Sequence, residues 1–223
     1  MKVLAICGLG GAGREILDLV ERIDIWPTVV FCDKYVEDDS RVFMDKEVYT
    51  FEELAEKYNS DEIEFTISVG DVYLRQKIYN QIKDNGYRLA TIVAPNVSIP
   101  KTTKLEEGVI VRDNCYISVD VILGANSMIQ SNAVVGHDVK LGRHSIVSSQ
   151  SVIAGGTEIG NNTYLALGSL VKELVKVGDN VIVSMGTAVN KDVADNLVVR
   201  GNPMEIVSKN YLKSAFALNM RKK

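Results

Sequence analysis

The chain has 223 residues, enough for one large domain or two small ones, with 46% apolar and 24% charged residues, the balance of an ordinary globular protein. Its net charge of −4 provides no electrostatic footprint for nucleic acid. No apolar run reaches the length of a membrane span, no signal-peptide pattern opens the chain, and Cys7, Cys32 and Cys115 lack metal-like spacing, so a cytoplasmic protein with reduced thiols is expected.

In chain order, Val3 to Cys7 reads as a buried strand running into a glycine turn. A helix follows over Glu15 to Ile23, with its apolar stripe through Ile16, Leu19, Val20 and Ile23. Thr28 to Cys32 is a second strand. Phe51 to Tyr58 and Val72 to Ile82 read as helices, Ile63 to Val69 as the strand between them, and Arg88 to Val93 as a last strand. This alternation predicts a small parallel sheet with helices on its faces, a Rossmann-like α/β domain over residues 1–95.

At Ala94-Pro95-Asn96 helical periodicity stops and a repeat begins. Leu105, Leu123, Leu141, Ile159 and Val177 recur at a spacing of 18. Six residues on stand Val111, Ile129, Val147, Leu165 and Val183; six further, Ile117, Val135, Ile153, Val171 and Val189. Small residues fill matching slots at Cys115, Ala133, Ser151, Ser169 and Thr187. An aliphatic residue every six suits a coil of three short strands, each coil stacking on the next about 4.8 Å away. An all-β sandwich would not hold this period through five units. The repeat therefore predicts a parallel β-helix over residues 96–205, and the basic, partly amphipathic residues 206–223 are expected to cap it.

Four segments carry a resemblance: the turn Gly8 to Glu15, the stretch from Val69-Gly70-Asp71 to Ile78, the segment Val135-Gly136-His137-Asp138, and Val198 to Pro203. In order and spacing they resemble the hexapeptide-repeat acyltransferases, and within them the sugar acetyltransferases with a Rossmann-like N-terminal domain. That branch includes the bacillosamine and perosamine N-acetyltransferases and the sialic acid O-acetyltransferases. The resemblance implies a left-handed β-helix, a homotrimer, and acetyl-CoA as co-substrate between neighbouring β-helices, with no metal. The chain departs from the pattern at Ala12 and Ile146, where histidine is common, and at Gln130, where asparagine is.

Val135 and Val139 point inward, so His137 projects outward. There it is either a plain surface histidine or, as the resemblance implies, the general base, with Asp138 orienting the ring. His144, also off the anchor positions, is expected at the surface or between subunits. Two histidines do not suffice for the three zinc ligands of a γ-type carbonic anhydrase. Gly8 to Gly13 satisfies G-x-G-x-x-G, with Asp33 twenty residues on. The half-chain is too short for a complete NAD fold, so these glycines serve either helix–strand packing or an anion at a helix N-terminus. The family reading puts a nucleotide sugar at Gly10, Gly11, Ala12, Asp33, Lys34, Gly70 and Arg75, and the pantetheine arm of CoA along Gly155, Gly168 and Gly186. The expected activity is direct N-acetylation of a nucleotide-linked 4-amino-4,6-dideoxy sugar. Its alternatives are O-acetylation of a sialic acid or other sugar hydroxyl, and a non-catalytic scaffold binding a sugar nucleotide.

Overall fold

In the computed structural model, which describes residues 2–34, 36, 41–211 and 213, the N-terminal part is a twisted sheet flanked by three helices. It comprises β1 (Val3–Cys7), α1 (Gly11–Ile23), β2 (Thr28–Cys32), β3 (Val42–Phe43), β4 (Lys46–Tyr49), α2 (Phe51–Lys57), β5 (Ile63–Ile67), α3 (Val72–Asp84) and β6 (Arg88–Leu89). The strand order is β3-β4-β2-β1-β5-β6, parallel except for the β3–β4 hairpin. Leu4, Ala5 and Ile6 of the central β1 are wholly buried because helices cover both faces. Local chemistry sets the helix starts. Thr50 and Glu53 form a reciprocal capping box on α2, and the Asp71 carboxylate accepts from the Tyr73 and Leu74 amides on α3.

The α/β alternation matches the sequence reading, with two differences. The β3–β4 hairpin was not expected: Met44 and Asp45 both adopt positive φ in its turn without a glycine to mark it. Arg88 to Val93 is also not one strand. Arg88–Leu89 pairs with β5, whereas Ile92–Val93 (β7) pairs with Ile110–Val111 as the first rung of the second half. The Ala90 amide still donates to Phe65 O (2.8 Å), and the Ile92 amide already donates to Val109 O (2.8 Å), so the chain changes sheets at Thr91.

The second half is a left-handed β-helix, a triangular prism of two-residue strands in three parallel sheets. The three aliphatic columns fill its interior, almost every member under 5% exposed. Left-handed backbone occurs at every sixth residue from Gly108 through Gly186, which places one such residue at each corner. Asparagine, aspartate and glycine dominate these positions because they tolerate that conformation best.

The outward residues distinguish the three faces. Ile110, Met128 and Ile146 are under 4% exposed beneath Ile16, Leu19, Val20 and Val72 of the α/β domain, making this the docked face. Ion pairs close both edges of that contact: Arg112–Glu15 (2.7 Å) and Arg22–Asp113 (2.8 Å) on the α1 side, Lys83–Glu107 (2.9 Å) on the α3 side. The next face carries Tyr116, Val134, Val152, Leu170 and Ala188, the apolar face. The third carries Lys140, Glu158 and Lys176 in a ladder of ion pairs at 3.0 and 3.3 Å, the charged face. Past the last coil, Glu205–Lys209 folds back antiparallel to Leu197–Arg200, and Asn210 donates to Tyr73 Oη and Asn180 O (2.8 Å each). Of the C-terminal cap expected over residues 206–223, Leu212 and 214–223 lie outside the described residues.

Candidate active site

His137 stands at the corner between the apolar and charged faces, and its flanking anchors Val135 and Val139 are fully buried. The imidazole and the Asp138 carboxylate are 65% and 63% exposed, and His137 Nδ1 lies 2.7 Å from Asp138 Oδ2. A carboxylate only accepts, so Nδ1 carries the hydrogen, and in the neutral ring Nε2 is the nitrogen with the lone pair. Asp138 has φ 59°, so the residue that orients the ring also makes the corner. One coil on, Gly155 lies directly against the ring: a Cβ there would come within 2.6 Å of His137 Cε1 and Nε2. Separately, a groove of about 700 Å³ runs along the charged face over Lys140, Glu158 and Lys176 toward Asp192, on the side of Gly142, Gly160 and Gly178 and away from His137.

Elsewhere, β1, β2 and β5 end side by side at the carboxyl edge of the α/β sheet, where the strand order reverses and such sheets bind ligands. Gly8 to Gly11, Asp33, Lys34 and Gly70 follow these three strand ends. Two of the turn glycines have a packing role: a Cβ on Gly13 would collide with the Gly8 carbonyl, and Gly8 has φ 113°. Gly10 has nothing within 4 Å of a Cβ position, and Gly11 only the Arg14 guanidinium at 3.8 Å. The exposed start of α1 therefore owes its glycines to something other than internal packing.

Three site expectations change. Arg75 does not face a substrate. It is wholly buried, and its guanidinium donates to Ile67 O, Val69 O, Asn126 O and Asn126 Oδ1. Burial pushes its pKa down to about 9, and the ring of carbonyl acceptors favours the charged form. His144 is not at the surface. It is 5% exposed where the charged and docked faces meet, its Nδ1 is 3.0 Å from Asn126 Nδ2, and Tyr79 packs edge-on against it. Desolvation, with Arg143 and Arg75 nearby, lowers its pKa to about 4. Gly168 and Gly186 occupy a different corner from Gly155, between the docked and apolar faces, with φ 65° and 67° and open space beyond. A hollow of about 630 Å³ bounded by Ser184, Met185 and the Arg200 to Pro203 turn adjoins Gly186.

Residues 3–82 match the PglD N-terminal domain family, and residues 120–155 the bacterial transferase hexapeptide family (six repeats). No curated protein matches the chain. Among solved structures it is similar to perosamine N-acetyltransferase from Caulobacter crescentus in complex with CoA and GDP-perosamine, with 27% identity over 94% of this chain and 98% of that one, at TM-score 0.85. Over nearly its whole length the chain is thus similar to a hexapeptide-repeat sugar acetyltransferase. Other structures share the fold of this acyltransferase at lower identity. One is WeeI from Acinetobacter baumannii (19%, 93% of this chain and 100% of that one, TM-score 0.70). Another is the acetyltransferase domain of PglB from Neisseria gonorrhoeae in complex with acetyl coenzyme A (18%, 92% and 99%, TM-score 0.63). Among the described residues no helix is long and apolar enough to cross a membrane, and no cluster of three or more metal-type ligands occurs.

Proposed function

We propose that the protein transfers the acetyl group of acetyl-CoA to the amino group of a nucleotide-linked 4-amino-4,6-dideoxy sugar. The observation that carries this is the exposed His137–Asp138 pair, whose Nε2 is free to accept a proton. Likeness over nearly the whole chain to an enzyme solved with CoA and GDP-perosamine supports it. The amine attacks the thioester carbonyl carbon, its proton passes to His137 Nε2, the C–S bond breaks, and the same proton returns to the departing thiolate. Asp138 holds the tautomer and stabilises the imidazolium formed on the way. In this reading a backbone N–H beside the ring, such as that of Gly155, donates to the developing oxyanion.

The prism's geometry supports a site shared between copies. His137 and Gly155 lie on the corner opposite the docked face, so one chain holds its base and its own α/β domain on opposite sides of the prism. Gly168 and Gly186 line the other edge of the apolar face. A ring of three copies, in which one prism's His137 corner meets the next copy's α/β domain and glycine corner, unites these parts. The apolar face is the surface it would cover: Tyr116, Leu170 and Val152 are 61%, 47% and 37% exposed. In this reading the sugar nucleotide sits at Gly10, Gly11, Ala12, Asp33, Lys34 and Gly70, and the enzyme is cytoplasmic.

The test is a panel of UDP-, dTDP- and GDP-linked amino and hydroxy sugars with acetyl-CoA, following release of free thiol. Turnover restricted to amino sugars is the expected result. Turnover of hydroxy sugars only would assign O-acetylation, and binding without turnover of any would remove the enzyme reading.

A further inference from the structure

Arg75 and Asn126 lie 51 residues apart in sequence, one on α3 and one at a corner of the prism's second coil, and both are 0% exposed. The guanidinium spends its donors in two directions. Nη1 donates to Ile67 O and, at 3.1 Å, to Val69 O, the carbonyls on either side of Ser68. Nε and Nη2 donate to Asn126 O at 3.2 and 3.0 Å, and Nη2 also to Asn126 Oδ1 at 2.9 Å. Asn126 answers with its amide, which donates to Arg75 O (3.2 Å) and to His144 Nδ1 (3.0 Å). The turn so held is tied to the glycine turn from its other side, since Ser68 Oγ donates to Cys7 O (2.8 Å) and Gly8 O (3.2 Å).

A helix-borne arginine needs none of this to pack α3 against the sheet; an aliphatic side chain would fill the space without a buried charge. What the arginine adds is a fixed position for two carbonyls of the turn ending in Gly70, with the prism as anchor. We infer that Arg75 and Asn126 are positioning residues for the nucleotide-sugar site, holding the Ser68 to Gly70 turn in its binding shape from within the prism. The inference rests on the proposed site at that sheet edge. The family resemblance put Arg75 at the ligand; in the structure its guanidinium sits one layer behind, on the carbonyls of Ile67 and Val69.

The test uses the full chain. Asn126 has φ 57°, so Asn126→Gly keeps the corner's backbone and removes only the side-chain bonds to Arg75 and His144. Asn126→Asp retains the oxygen that Arg75 requires. Hydrogen exchange read at residues 68–71, without ligand, is expected to quicken about tenfold or more in Asn126→Gly, with the β1 and prism amides unchanged, and to recover in Asn126→Asp. In kinetics the glycine variant should raise KM for the nucleotide sugar at least several-fold and leave that for acetyl-CoA within about twofold. Unchanged exchange at 68–71, or an equal rise in both KM values, overturns the positioning role. GDP and UDP binding to the wild-type chain, followed by calorimetry, separates the two ideas. If the turn loosens as expected but neither nucleotide binds wild type, the site assignment fails; if one binds wild type and Asn126→Gly equally, the positioning role fails.

Discussion

At the scale of single residues, the chemistry proposed for His137 depends on where its ring stands. If the imidazole takes the acceptor's proton, His137→Ala lowers kcat by about 10²- to 10⁴-fold with acetyl-CoA binding intact. Steady-state kinetics beside a direct CoA-binding measurement checks it. Gly155→Ala probes the same ring from below. Its methyl would enter the space of Cε1 and Nε2, so the imidazole must swing aside, and kcat should fall about 10- to 100-fold with little change in Tm. His144 has a different consequence, set by pH. Its folded pKa of about 4 lies below its unfolded value of about 6.5, so the unfolded chain binds more protons between the two. The stability tied to its neutral form is complete above about pH 6.5 and is lost as pH falls toward 4, about 2 kcal/mol being gone at pH 5. Asn126, Tyr79, Arg143 and Arg75 surround the ring, and none supplies a carboxylate to soften the effect. Urea unfolding at pH 7 and pH 5 should show this loss in wild type and a flatter response in His144→Gln.

Among the elements, the prism was the most legible part. Its aliphatic columns repeat in one dimension, each coil's neighbour is the next coil, and side-chain direction follows from position in the hexad. Ile129→Ala should therefore remove about 2–5 kcal/mol, because the stacked coils leave the cavity no way to close. Equilibrium denaturation measures it. The corners were legible only in part. Asp138 was read for its charge, while its positive φ shows that the turn also favours aspartate there. The α/β strands were legible from apolar runs, but the Met44-Asp45 hairpin was not, since neither residue announces a tight turn. The passage through Thr91 stayed hidden because Leu89, Ile92 and Val93 are apolar on both sides of it, and only their partners differ. Arg75 and His144 were misread for a related reason. Their surroundings come from Asn126 and Tyr79, distant in sequence, so a charged helical residue and a polar corner residue looked exposed.

For the whole molecule, the three unlike faces bear on the proposed ring of three copies. One face is covered by the chain's own α/β domain, one is charged, and one is apolar and open. Sedimentation should give a mass about three times 24.5 kDa. Leu170→Glu, which places a carboxylate on the apolar face, should shift the mass toward the monomer and abolish turnover together, while circular dichroism stays that of the wild type. A monomeric Leu170→Glu chain with full activity would show that one copy contains the whole site.

The constant coil height makes the prism a measuring rod. The His137 corner and the hollow beside Arg200 stand about 13 Å apart along the axis, at about 4.8 Å for each 18-residue coil. If the cofactor's reactive end meets His137 while its far end rests in that hollow, the number of coils between them gauges the length of the carrier arm. Evolution could then change what fits only in whole steps, by gaining or losing an entire coil. A change that is no multiple of six must be absorbed in a turn, as in the last coil, where Val193 and Val199 stand 16 residues after Val177 and Val183 and keep the same columns.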